Sequence, residues 1–244
     1  MSKHNETIVE LDSFLKKREG IDKVLKLVRY TSRLYSYKLL AEEASNPLGL
    51  KLKNLDSHLG TTRKALRLGK FVSNVIALRK ALKDKKGGPI VALQAISTSA
   101  EGAYYFLDQF AWLMKAGVLE KDYEKELVKA ENTFELVAYV TNMLATQLQL
   151  QKLAAREADI KKYLAMCRAS DQFSCLHTTE EREELKVIAG KRVVLHLSLV
   201  QDMADALIAI GDLKGSDSAL AHPVFTSVCG IISGSISASQ KWGC

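Results

Sequence analysis

Between Gly20 and Pro47, Ile21, Val24, Leu25, Val28, Tyr35 and Leu39 fall at the spacing that gathers residues on one face of a helix. A second helical run extends from about Lys51 to Lys83 and stops at the breaker KKGGP, residues 85–89. Pro89 suits a first helical position and opens a third run to about Val118. Residues 121–168 predict one long helix or a helical pair, and 180–210 predict another. The stretch GDLKGSDS, 211–218, reads as a linker, and Pro223 opens a final uncharged segment. No run has strand period and no repeat is visible. The pattern predicts an all-α, multi-helical protein.

Charge changes the picture in one place. The chain of 244 residues carries a net +7, with 47% apolar residues, 3 prolines and 14 glycines. Between Lys51 and Lys86 there are eleven Lys/Arg against Asp56 and Asp84, so the basic character belongs to that segment. A wheel centred on Leu68 puts Phe71, Val72, Val75 and Ile76 with Ala65, Leu78 and Leu82 on one side. Arg63, Arg67, Lys70 and Lys80 fall on the other side, with Lys64 at the margin. That division predicts an interfacial helix over 57–83, with Arg63, Lys64, Arg67, Lys70 and Lys80 on lipid headgroups. Leu68, Phe71, Val72, Val75 and Ile76 form its insertion face. Arg79 sits inside the apolar stripe and would have to snorkel. A bundle helix with a solvated basic face is the plain alternative.

Two further segments bear on membranes. Residues 218–240 contain no charged side chain, a length that covers ~30 Å of hydrocarbon. Gly230 and Gly234 within it have the small-xxx-small spacing of close helix pairs, and predict self-association. In the third run, Gln94, Glu101, Asp108 and Lys115 recur every seven residues as one narrow polar stripe. Charges in a bilayer cost about 2.5–3.5 kcal/mol each on insertion scales, so this helix hides its stripe against other helices or lies in the interface.

Chemistry is sparse. The five histidines (4, 58, 177, 196, 222) pair with no carboxylate or cysteine at a diagnostic spacing. Cys167, Cys175, Cys229 and Cys244 form no CxxC unit, and Cys167, Cys175 and His177 lack a fourth metal ligand. No phosphate-binding glycine loop or nucleophile elbow is present. The expectation is a non-enzyme with no cofactor and no metal. Nucleic acid is disfavoured too, because Phe71 is the only aromatic between Asn54 and Lys86. The polar start, MSKHNETIVELDSF, is no secretory signal.

KREGIDKVLKLVRYTSRL (17–34) and LDSHLGTTRKALRLGKFVSNVIALRKAL (55–82) together resemble the peroxin eleven family of peroxisomal membrane-remodelling proteins. The second contains the basic motif Arg63-Lys64-Ala65-Leu66-Arg67-Leu68-Gly69-Lys70; FAWLMKAGVLEKD (110–122) and GIISGSISASQKW (230–242) also match. The resemblance implies an integral peroxisomal membrane protein with cytosolic termini that elongates peroxisomes and promotes their fission. It implies a curving helix at 57–83, self-association, and contact with a tail-anchored fission adaptor and a dynamin-like GTPase. The chain then divides into an interfacial region 1–86, a membrane-embedded or interfacial helix 87–118, a helical region and linker 119–217, and a membrane segment 218–244. Two alternatives stay open: a channel-like bundle with Glu101 and Asp108 along a polar path, and a soluble adaptor binding acidic partners through 51–86.

Overall fold

The computed structural model describes residues 18–83, 88–169 and 178–241. The N-terminal stretch, Asp84 to Lys86, Cys175, His177 and Cys244 lie outside the described residues. Seven α-helices follow: α1 Glu19–Glu42, α2 Pro47–Leu66, α3 Phe71–Lys83, α4 Pro89–Lys115, α5 Glu124–Ala169, α6 Thr178–Lys214 and α7 Pro223–Lys241, with a 3₁₀ turn at Ala219–Ala221. Asn46 caps α2 by accepting hydrogen bonds from the Leu48 and Gly49 backbone N–H groups, and Pro47 takes the first helical position.

Residues 57–83 are not one helix. The run breaks after Leu66, and Gly69 adopts φ +74°, a left-handed conformation that glycine reaches without penalty. Lys70 and Ser73 donate from their backbones to Arg67 and Lys70 carbonyls, closing two tight turns before α3 starts afresh. Residues 121–168, by contrast, form a single 46-residue helix, about 69 Å long.

Six helices close a ring in the order α1, α2, α4, α5, α6, α7 and back to α1. Each neighbour runs antiparallel to the last. Asp22 meets Arg63 and Asp56 meets Arg29; Lys64 meets both Asp108 and Glu131; Asn142 meets Asp202. Ser198 meets Gln240, and Tyr37 meets His222. Helix α3 packs along α4, continuing the wall that α2 begins.

A small apolar cluster of Tyr30, Ala204, Ile208 and Cys229 is buried where α1, α6 and α7 meet, but several helices turn an apolar stripe outward and polar side chains inward. On α1, of the residues at helical spacing, Ile21, Val24, Val28 and Tyr35 are exposed and Leu25 and Leu39 half-buried, while Asp22, Lys26, Tyr30, Ser32 and Ser36 are buried. Helix α4 exposes Ile96, Phe106 and Phe110 and buries Tyr104, Tyr105 and Asp108. Helix α5 exposes Phe134, Val137, Val140 and Leu144 and buries Glu131, Asn132 and Thr146. Helix α6 exposes Val193, Leu197, Val200 and Met203 and buries Asp202 and Asp205. Exposed apolar surface on this scale is the informative departure, since a folded soluble chain buries such stripes.

One helix among the described residues is long and apolar enough to cross a membrane by length and composition, and it is α6 over Thr179–Lys214. The expected span at 218–240 does not meet that measure. Its helix, α7, has 19 residues and spends five of them on serine. Gly230 and Gly234 do mark a close helix pair, but the partner is α1 of the same chain. A Cβ on Gly230 would lie 2.3 Å from the Tyr30 ring, and one on Gly234 would lie 2.9 Å from Leu27. That contact fills the glycine face from within the chain.

Candidate functional site

Inside the ring lies a cavity of about 820 Å³. It follows α4 from Gln94 to Lys115, 21 residues or about 32 Å of helix. Its walls differ in the sign that predominates, with Asp22 among the cations of α1 and Lys115 on α4 as the exceptions. Lys23, Lys26, Arg29, Arg63, Lys64 and Arg67 line it from α1, α2 and the turn after α2. Glu101, Glu131, Glu135, Asp202 and Asp205 line it from α4, α5 and α6.

The walls are stitched together by ion pairs. Asp22, 6% exposed, accepts from Arg63 Nε at 2.9 Å and lies 3.5 Å from Arg67 Nε. Lys26 Nζ donates to both oxygens of Asp205, at 2.7 and 2.9 Å. Lys64 bridges the fully buried Asp108 and Glu131, the latter at 2.6 Å. Arg67 donates to the Tyr104 hydroxyl at 2.5 Å, and Lys70 to the Tyr105 hydroxyl at 2.6 Å. Charges this deep persist only when paired and hydrogen-bonded.

Three carboxylates on the acidic wall receive neutral donors in place of a cation. Glu101 accepts from Asn74 at 2.9 Å and from Tyr105 at 3.1 Å. Glu135 accepts from Tyr139 at 2.8 Å, and Asp202 from Asn142 at 2.6 Å. No hydrogen bond or ion pair from the Lys23 ammonium to another side chain is seen among the described residues, and it lies within electrostatic reach of Asp22 and Asp205.

Four of the five cations expected on lipid headgroups are thus turned inward. Arg63 is 4% exposed, and Lys64, Arg67 and Lys70 are held by carboxylates and phenols of α1, α4 and α5. The wheel mixed them with α3 residues because it assumed an unbroken helix. Lys80 remains exposed, beside Arg79. Of the insertion face, Leu68 is 47% and Val75 44% exposed, with Phe71, Val72 and Ile76 half-buried. Phe71 meets Phe106 edge-on at 5.5 Å, and Phe106 meets Phe110 at 5.3 Å, so this face continues onto the outside of α4. An adaptor surface on 51–86 loses most of its central cations in the same way.

Residues 8–242 match the family Peroxisomal biogenesis factor 11 (PEX11). The chain belongs to the PEX11 family. Peroxisomal membrane protein 11A of Arabidopsis thaliana is 32% identical over 240 residues, 98% of this chain and 94% of that protein. Peroxisomal membrane protein 11-3 of Oryza sativa subsp. japonica is 35% identical over 236 residues, 96% of this chain and 88% of that protein. No solved structure matches the chain. As a PEX11 protein it is a peroxisomal membrane protein of a biogenesis family, and none of these names is an enzyme's.

Within this PEX11 chain the two motifs that carry the resemblance meet. Asp22 of the first receives Arg63 and Arg67 of the second, 41 and 45 residues on, and Gly69 turns the chain between them and α3. Sequence reasoning missed Tyr104, Glu131, Asp202 and Asp205. Asp202 and Asp205 carried a signal, two carboxylates inside the apolar run Val193–Ile210.

Proposed function

We propose that this PEX11 protein is embedded in the peroxisomal membrane through its ring and elongates that membrane by seating α3 and the turn before it in the outer leaflet. The observation that carries this is the placement of α3. It is packed on α4, it buries only Asn74, and it exposes Val75 and Leu82 with Lys80 and Arg79 alongside, while the turn before it exposes Leu68. Leucine, valine and phenylalanine entering the acyl boundary contribute about 25 cal/mol per Å² of apolar surface. Each cation near an anionic surface adds about 1 kcal/mol. A shallow wedge enlarges one leaflet, and the area difference favours a tubule. The tubule is then offered to a fission adaptor and a dynamin-like GTPase.

Lipid contact also accounts for the outward apolar stripes. The outward sides of α1, α4, α5 and α6 carry aliphatic and aromatic residues, and the charges turn inward to one another. The test uses the full chain in cells stripped of their own family members, with peroxisome length read by microscopy. Wild type restores elongated peroxisomes. Leu68→Glu/Val75→Glu leaves them round, because two carboxylates replace the apolar surface that seats the wedge and are repelled by an anionic headgroup layer. Elongation by the double variant, present at normal level in the membrane, would sink the proposal.

A further inference from the structure

The ring is incompletely walled where α3 replaces α2. Helix α2 covers α4 around Tyr104 and Asp108, but α3 packs along α4 without a comparable contact to α1 or α5. There the cavity meets the surface beside Ala77, Ala81 and Gln94, of which Ala77 and Gln94 are exposed. The rim of the opening is small and apolar on α3, the flanking exterior is Phe106, Ile96 and Val75, and the interior is charged. A molecule that suits both environments has a polar head and apolar tails. The interior adds a second requirement, because cations and carboxylates stand on opposite walls.

We propose that this cleft takes the zwitterionic headgroup of a phospholipid, its phosphate toward Lys23 and Arg67 and its ammonium toward Glu135 and Asp202, and passes lipid between leaflets. The tails stay in the bilayer through the α3 opening while the head travels the charged interior. A headgroup path requires that the ring lie in the membrane, as proposed above, and its run of about 32 Å along α4 matches the ~30 Å hydrocarbon core. Guanidinium and ammonium groups suit phosphate oxygens, and carboxylates suit a quaternary or primary ammonium. A metal ion is a poorer occupant, since no three His, Cys, Asp or Glu side chains among the described residues are grouped to hold one. Elongation creates a need for such a path, because lipid delivered to one leaflet must reach the other.

The test reconstitutes the full chain into vesicles of phosphatidylcholine with a trace of phosphatidylcholine labelled on a short acyl chain with a dithionite-reducible nitrobenzoxadiazole, its headgroup intact, and an entrapped soluble dye, then adds dithionite. Wild type should let dithionite bleach nearly all the labelled lipid, against the outer-leaflet half in protein-free vesicles, and leave the entrapped dye intact. Glu135→Gln/Asp202→Asn, which keep a hydrogen-bonding side chain, should slow lipid bleaching about tenfold, the loss expected for a charge-assisted contact. Ala77→Trp, at an exposed position, should slow it without touching the interior. Bleached entrapped dye would show a water-filled solute path and overturn the lipid route. So would wild-type bleaching that stops at half in vesicles from which alkaline carbonate does not extract the protein. Extraction by carbonate would instead overturn the embedded ring, and peroxisome length reports separately on elongation.

Discussion

Asp22 holds two arginines that lie more than forty residues away, and its side chain is the point where α1 and the end of α2 are fixed together. Removing one partner of a buried pair leaves the other charge unpaired, a loss of about 3–5 kcal/mol. Asp22→Ala should therefore lower the thermal midpoint of the detergent-solubilised protein sharply. Asp22→Ala/Arg63→Leu should recover part of it, because no charge at Arg63 is then stranded; an equal or greater loss in the double variant would show that the pair is not coupled. Gly230 makes a different demand. A methyl there enters the Tyr30 ring, so Gly230→Ala should cost about 1–3 kcal/mol in the same melt, and an unchanged midpoint would place the α1–α7 contact elsewhere.

The hairpin of α5 and α6 runs beyond the ring. Arg156 pairs with Glu184 at 2.8 Å, and Glu157 receives both Lys161 and Arg192. Hydrogen bonds from Lys161 and then Arg192 hold the Glu157 carboxyl below its usual 4.5. A depressed carboxyl stabilises above its ordinary range and loses that contribution as pH falls through the lowered value. The far end of the hairpin should stay protease-resistant at pH 5 and become more readily cut near pH 3, with Glu157→Gln already more readily cut at pH 7. Resistance that is the same in all three conditions would remove the pairs from its stability.

What the sequence made legible at this scale was the existence of helices. Pro89 and Pro223 open α4 and α7 where they were expected, and the middle of the stripe, Glu101 and Asp108, turns inward, while its ends, Gln94 and Lys115, are exposed. The break at Gly69 was not legible. Arg67, Leu68 and Lys70 all favour helix, and one glycine inside a helical pattern is a weak breaker until its neighbours need a turn. Nor was the direction of each face. Periodicity groups Ile21, Val24 and Val28 with one another, but it does not say whether that group meets a core or an acyl chain. The basic residues were found by number and misplaced by role, because their partners, Asp108, Glu131 and Tyr104, come from helices far along the chain.

At the scale of the whole molecule, six ring helices alternate in direction, so α1 begins and α7 ends on the same side. If the ring crosses the membrane, tags at the two termini share one compartment. Protease added to intact peroxisomes should remove both tags, in agreement with cytosolic termini; removal of one alone would refute an even number of crossings.

Ring closure has a consequence in time. The first helix made is completed by the last, because α1 packs on α7 and its Lys26 is neutralised by Asp205 of α6. During synthesis Asp22 and Arg29 meet Arg63 and Asp56 as soon as α2 follows, but Lys26 emerges 179 residues before Asp205. Until then the Lys26 ammonium is the unmatched charge on the inner face of α1, and an unmatched charge is costly in lipid. For a ring embedded as proposed above, the ion pair that neutralises the inner face of α1 is completed only once α6 has been made.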